Sequence, residues 1–146
     1  MSQNIVLAVD VQTDVARAFE ILSTTEGQRG FWTANCDVSR TSARFGFAQA
    51  PVDLTTDVVA EPDKLVRMTI TSGFPFWTGS TFEWELAAPA RAESGTGVVF
   101  RHFGFEAGYP EVDLAHTAQT WALILDRLQR YAATGSPQPF FPAETG

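Results

Sequence analysis

Few side chains in this sequence have both the type and the setting for chemistry. His102 comes first. Val98, Phe100 and His102 alternate with Val99, Arg101 and Phe103, which puts the imidazole on the inner face of a strand. An inner-face histidine has two readings. It donates to a ligand carbonyl, or serves as a general acid–base with its pKa tuned by burial. Alternatively it is a core residue held by a backbone or side-chain group. No carboxylate shares its face. Glu83 and Glu85 are paired carboxylates of the kind glycoside hydrolysis uses. Their alternation with Phe82, Trp84 and Leu86 sends them to the opposite, solvated face, as expected also for Asp53, Asp57 and Glu61. Cys36 stands alone, so no internal disulfide is available, and no base is in view to make it a nucleophile. The two histidines and one cysteine form no short-range cluster, so no metal centre of three or four ligands is expected. His116 falls on the outer side of its helix. There is no phosphate-binding loop, dinucleotide fingerprint or nucleophile elbow, so no cofactor is expected either.

The aromatic residues are the stronger signal. The chain holds 12 Phe and 4 Trp against 2 Tyr. Phe82, Trp84 and Phe100 point inward, with Trp32, Trp77 and Trp121 nearby. Either these rings line a pocket for a flat, apolar molecule, held by area burial at about 25 cal/mol per Å², or they fill the same space as an ordinary core. Thr117, Thr120, Ile124 and Tyr131 flank Trp121 and would widen such a wall, the threonines and the tyrosine adding hydroxyls. The pocket candidates are therefore Trp32, Trp77, Phe82, Trp84, Phe100, His102, Thr117, Trp121 and Ile124.

Composition narrows the partners. The chain has 146 residues, ten of them basic and scattered, and a net charge of −7. Nucleic-acid binding needs a basic patch, and none is present. No apolar run approaches the ~18–20 residues of a membrane span, and Met1-Ser2-Gln3-Asn4 has neither part of a signal peptide. A lone cysteine fits a reduced, cytoplasmic protein.

The elements that must position these groups follow from periodicity. Residues Val112–Ala133 form the longest helical signal, with Leu114, Ala118, Trp121, Leu125, Leu128 and Ala132 on one face and Gly135 and Pro137 stopping it. Leu123 lies on the outer face, where it would serve a weak homodimer contact. Ile5–Val11 alternates as a strand. Val15, Ala18, Phe19 and Leu22 mark a short helix capped by Thr13, and Thr25–Gln28 fits a capping box for a second one ending at Phe31-Trp32. Asp37–Arg40, Ala43–Phe47, Val52–Ala60, Leu65–Thr71, Thr81–Ala87 and Val98–Phe105 then read as strands joined by short turns, hence an antiparallel meander. This is a single α+β domain over residues 1–146, with a folded body to residue 135 and a Pro-rich extended tail over 136–146 that Phe140 and Phe141 would dock.

This order of elements resembles the START-like (SRPBCC) superfamily, in particular the branch of the activator of the Hsp90 ATPase. The carrying residues run nearly end to end. They are Val15–Leu22, Thr24–Gly27 with Phe31-Trp32, Leu65-Val66 after Pro62, Trp77 with Thr81-Phe82, Gly95–Phe105 with its His-x-Gly ending, and Trp121 with Leu125, Leu128 and Tyr131. The resemblance implies a helix-grip fold, in which a curved antiparallel sheet of six to seven strands wraps a long C-terminal helix around an elongated cavity. It also implies three functions: binding of a small hydrophobic or aromatic molecule, a cyclase- or dehydratase-type enzyme in the same cavity, or a co-chaperone stimulating an Hsp90-type ATPase.

Overall fold

The computed structural model describes residues 4–47, 50 and 52–143. Strand β1 (Ile5–Val11) leads into helices α1 (Val15–Ser23) and α2 (Thr25–Phe31). Six strands follow: β2 (Cys36–Val38), β3 (Ser42–Phe45), β4 (Leu54–Glu61), β5 (Leu65–Ser72), β6 (Thr81–Ala87) and β7 (Thr96–Phe103). Helix α3 (Glu111–Thr134) closes the fold. The strands form one antiparallel sheet in the order β1-β7-β6-β5-β4-β3-β2. Only β1 leaves its sequence position, crossing to pair with β7, and the two short helices make that crossing. This is the helix-grip arrangement expected from the sequence. No described helix is long and apolar enough to cross a membrane.

The boundaries differ from the sequence reading where a single residue decides them. Asp14, not Thr13, caps α1 and accepts from the Arg17 N–H at 2.7 Å. Thr24, not Thr25, caps α2: its backbone is extended, as an N-cap requires, and its hydroxyl accepts from Gly27 N–H at 3.1 Å. Thr25 is already helical, and its hydroxyl accepts from Val38 N–H at 2.8 Å, tying α2 to β2. Gln28 completes no capping box. It is buried and donates to the Leu22 carbonyl at 2.7 Å. Strand β3 stops at Phe45 because Gly46 N–H turns aside to the Asn35 carbonyl, which frees Phe47 from the sheet. Strand β7 stops at Phe103 because Gly104 takes a positive φ of 82°.

Helix α3 ends as its sequence predicts. Gly135 adopts φ 73°, and its N–H reaches the Tyr131 carbonyl. The face it buries is Trp121, Ile124, Leu125, Leu128 and Tyr131. Leu114, Ala118 and Ala132 are only half-buried, so the buried stripe is centred one flank away from the one the spacing suggested. Leu123 is exposed.

One surface expectation needs correction. Glu83 lies on the outer face as its alternation requires, yet it is 5% exposed rather than solvated. Arg67 and Arg101 sit directly opposite it on β5 and β7. Arg67 Nε reaches one carboxylate oxygen at 2.9 Å and Arg101 Nη1 the other at 3.1 Å, and Arg101 also holds Glu85 at 3.2 Å. The two long side chains cover the carboxylate, so alternation predicted the face and not the burial.

After α3 the chain passes along the C-terminal turn of α2 and the residues that follow it. Gln138, Phe140 and Phe141 donate their N–H groups to the carbonyls of Gly30, Phe31 and Trp32, and Ala34 N–H returns to the Phe141 carbonyl. A parallel bridge joins Thr33 and Phe141. The last three residues of the expected tail lie outside the described residues.

Candidate functional site: a ring-walled pocket

The space between the sheet and α3 is filled. Phe82, Trp84, Phe100 and His102 all point inward, and all are fully buried. Trp121 packs on Phe100 with ring centroids 4.4 Å apart, on Phe82 at 5.4 Å and on Trp84 at 6.3 Å. These rings form core. The cavity lies beyond them, at the end of the sheet that carries the β5–β6 loop. It has a volume of about 300 Å³.

Five segments meet there. Helix α3 supplies His116, Thr117, Thr120, Trp121 and Ile124. Trp32 comes from the C-terminus of α2, Phe74 and Trp77 from the β5–β6 loop, Phe47 and Ala50 from beyond β3, and Phe141 from the tail. Of the residues singled out in the sequence, Trp32, Trp77, Thr117, Trp121 and Ile124 line this cavity, whereas Phe82, Trp84, Phe100 and His102 stand behind it. His116 is exposed, as its helical angle requires, and sits on the rim.

The rings support one another. Trp32 packs between Phe45 at 4.2 Å and Trp121 at 5.0 Å. Phe47 contacts Phe74 at 5.6 Å and Phe141 at 4.9 Å. Phe74 meets Trp77 edge to face at 5.1 Å. The β5–β6 loop is built from successive turns, with Trp77 N–H bonded to the Phe74 carbonyl and Ser80 N–H to the Trp77 carbonyl. Phe76, between them, takes φ 70°, a conformation a bulky residue adopts only when its surroundings impose it. Its carbonyl accepts from Glu106 N–H at 2.9 Å and its ring lies 5.5 Å from that of Tyr109, so the loop after β7 holds it in place.

Two hydrogen-bond chains, joined through the covalent frame of Trp77, thread these rings. Trp121 Nε1–H donates to His102 Nδ1 at 3.2 Å, and His102 Nε2 lies 2.9 Å from Ser80 Oγ. An indole can only donate, so Nδ1 must carry the lone pair and Nε2 the proton. The imidazole therefore donates to Ser80, whose hydroxyl donates on to the Trp77 carbonyl at 2.6 Å. Trp77 Nε1–H donates to Tyr109 Oη at 3.0 Å, and Tyr109 Oη lies 2.8 Å from Thr117 Oγ1. Burial holds the His102 pKa down at about 3. A neutral histidine bonded at both nitrogens and sealed from solvent is a structural part, and it has no open face toward the cavity.

Cys36 is likewise fully buried, and burial pushes its thiol up to about 11, too high for a thiolate nucleophile near neutrality.

Phe47, Phe74, Tyr109 and Phe141 are not among the pocket candidates read from the sequence. A signal did exist for Tyr109. It sits between Gly108 and Pro110, just ahead of α3, where a large ring must pack back onto the body.

No family model and no curated protein matches this sequence. Its structure is similar to that of the Aha1 dimer from Colwellia psychrerythraea, at 21% identity and a TM-score of 0.75, covering 91% of this chain and 98% of that one. It is also similar to DynU16, a protein from the dynemicin biosynthetic locus, at 18% identity and a TM-score of 0.74. That match covers 96% of this chain but 51% of the other, so this chain spans about half of DynU16. CalU16 from Micromonospora echinospora matches at 14% identity and a TM-score of 0.66, over 92% of this chain and 78% of that one. These likenesses show the helix-grip fold. At such identities they transfer no residue's role.

Proposed function

We propose that this protein binds a small apolar, aromatic molecule in the pocket between the N-terminal half of α3, the β5–β6 loop and the tail. The supporting observation is the wall itself. A cavity of about 300 Å³ is faced by Trp32, Phe47, Phe74, Trp77, Trp121 and Phe141, and the indole N–H groups of Trp77 and Trp121 are already bonded inside the protein. Those two rings thus offer apolar faces with their polar edges turned away. Ligand pockets of this size are mostly apolar with a few placed polar groups, which here are Thr117, Thr120 and His116.

A cyclase- or dehydratase-type reaction in the same pocket has less support. His102, its candidate acid–base, is sealed behind Trp77 and Trp121 and stays neutral. The co-chaperone reading rests on a likeness of fold to Aha1, and fold alone is a weak guide to function.

The test is a fluorescence titration with tetralin, a bicyclic hydrocarbon small enough for the pocket, on the wild type and on Ile124→Trp, which fills the cavity from α3. Saturable quenching that disappears in Ile124→Trp supports the proposal. Absence of saturation in the wild type, or equal binding by the filled variant, refutes it.

A further inference from the structure

The path through Trp77, Tyr109 and Thr117 has a direction, and that direction selects a class of ligand. Trp77 Nε1–H can only donate, so Tyr109 Oη accepts at 3.0 Å. The phenol proton is then directed to its other neighbour, Thr117 Oγ1, at 2.8 Å. If Thr117 instead donated to Tyr109, the phenol oxygen would accept twice, and its own proton would have no partner among the described residues. Tyr109 is 8% exposed, and stranding a buried proton is costly. The arrangement that pairs every buried proton runs Trp77 to Tyr109 to Thr117.

Thr117 then accepts from Tyr109 and keeps its own hydroxyl proton. A threonine in a helix commonly returns that proton to the carbonyl one turn back, as Thr120 does to His116 at 3.0 Å. Thr117 makes no such bond to Asp113, and its only side-chain partner among the described residues is Tyr109. Its hydroxyl lies on the cavity wall among the rings. We infer that Thr117 is a pre-oriented hydrogen-bond donor in the pocket, and that the ligand carries an acceptor oxygen, a carbonyl or quinone oxygen conjugated to its ring, placed against it. The inference rests on the pocket being a ligand site. It adds that Thr117 is the residue discriminating oxygenated aromatics from hydrocarbons, with Tyr109 orienting it.

The experiment compares 1-tetralone with tetralin, which differ by one ring carbonyl. Affinities of both are measured by tryptophan fluorescence for the wild type, Thr117→Val, Thr117→Ser and Tyr109→Phe. Taking the ketone-to-hydrocarbon ratio within each protein cancels differences in hydration of the two probes. The ratio should fall about fivefold in Thr117→Val, the scale of one neutral hydrogen bond, and stay at the wild-type value in Thr117→Ser. Any change in tetralin affinity from the altered wall is shared by both probes and drops out of the ratio. In Tyr109→Phe the ratio should also fall, because an undirected Thr117 hydroxyl is free to turn back to Asp113. That variant carries the test should Thr117→Val fail to fold. Tetralin binding with an unchanged ratio in folded Thr117→Val and Tyr109→Phe overturns the role of Thr117 and leaves the pocket standing. Failure of the wild type to bind either probe overturns both.

Discussion

Trp121 and His102 meet nearly edge to face at the centre of the core, with the indole Nε1–H donated to the imidazole Nδ1 across 3.2 Å. This contact assigns the tautomer and commits His102 to Ser80 and the Trp77 carbonyl. Through it, α3 is joined to the loop that walls the pocket. The histidine most suggestive of catalysis in the sequence is therefore a strut.

Acid should weaken the fold through this residue. An ordinary histidine titrates near 6.5, and burial places His102 at about 3. Between those values the unfolded chain binds a proton that the folded chain refuses. Stability is therefore complete above about pH 6.5 and declines as pH falls toward 3, with a slope of about 1.4 kcal/mol per pH unit from this group. Urea unfolding of wild type and His102→Gln at a series of pH values isolates the effect as a difference. Parallel pH profiles would remove His102 as its source.

Ser80→Ala should cost roughly 1–3 kcal/mol, because it strands the His102 Nε2–H in a dry core. The side-chain volume lost is small, so a cost of this size reports the unpaired proton. A midpoint in urea within error of the wild type would mean that the imidazole has another partner.

Gly30→Ala tests the packing of α2 on α3. Glycine to alanine in a helix usually stabilises by about 0.5–1 kcal/mol. Here a Cβ would stand 2.5 Å from the Tyr131 ring, which is itself buried. The expected sign is therefore reversed, to a loss of roughly 1–3 kcal/mol. A raised melting temperature would contradict the close approach.

Phe141→Ala should leave the body folded and open one side of the pocket. The ring lies 4.9 Å from Phe47 and is only half-buried. The loss of contact area predicts about a fivefold weaker affinity for tetralin, on the scale of ~1 kcal/mol. Unchanged affinity would show that the tail is no wall of the site.

The sequence carried the fold well and the site only in part. Period-2 alternation located the seven strands, with Ile5–Val11 and Thr81–Ala87 matching to the residue. It also placed Phe82, Trp84 and Phe100 on the inner face. Alternation reports which side of a sheet a residue takes and says nothing of which end the void lies at. That end is set by Phe47, Phe74 and Phe141, three loop and tail residues brought together by contacts far apart in sequence. Glu83 shows the same limit on the outer face, where its burial depends on arginines from two other strands.

The most direct measurement uses the four tryptophans as reporters. Each indole Nε1–H gives a separate nitrogen–proton resonance, and each can be assigned by single Trp→Phe substitution. Trp32, Trp77 and Trp121 line the pocket, while Trp84 is fully buried away from it. On titration with tetralin, the first three resonances should move along one saturation curve while that of Trp84 stays in place. No movement at saturating tetralin, or a Trp84 shift as large as the others, would rule out the pocket as the binding site.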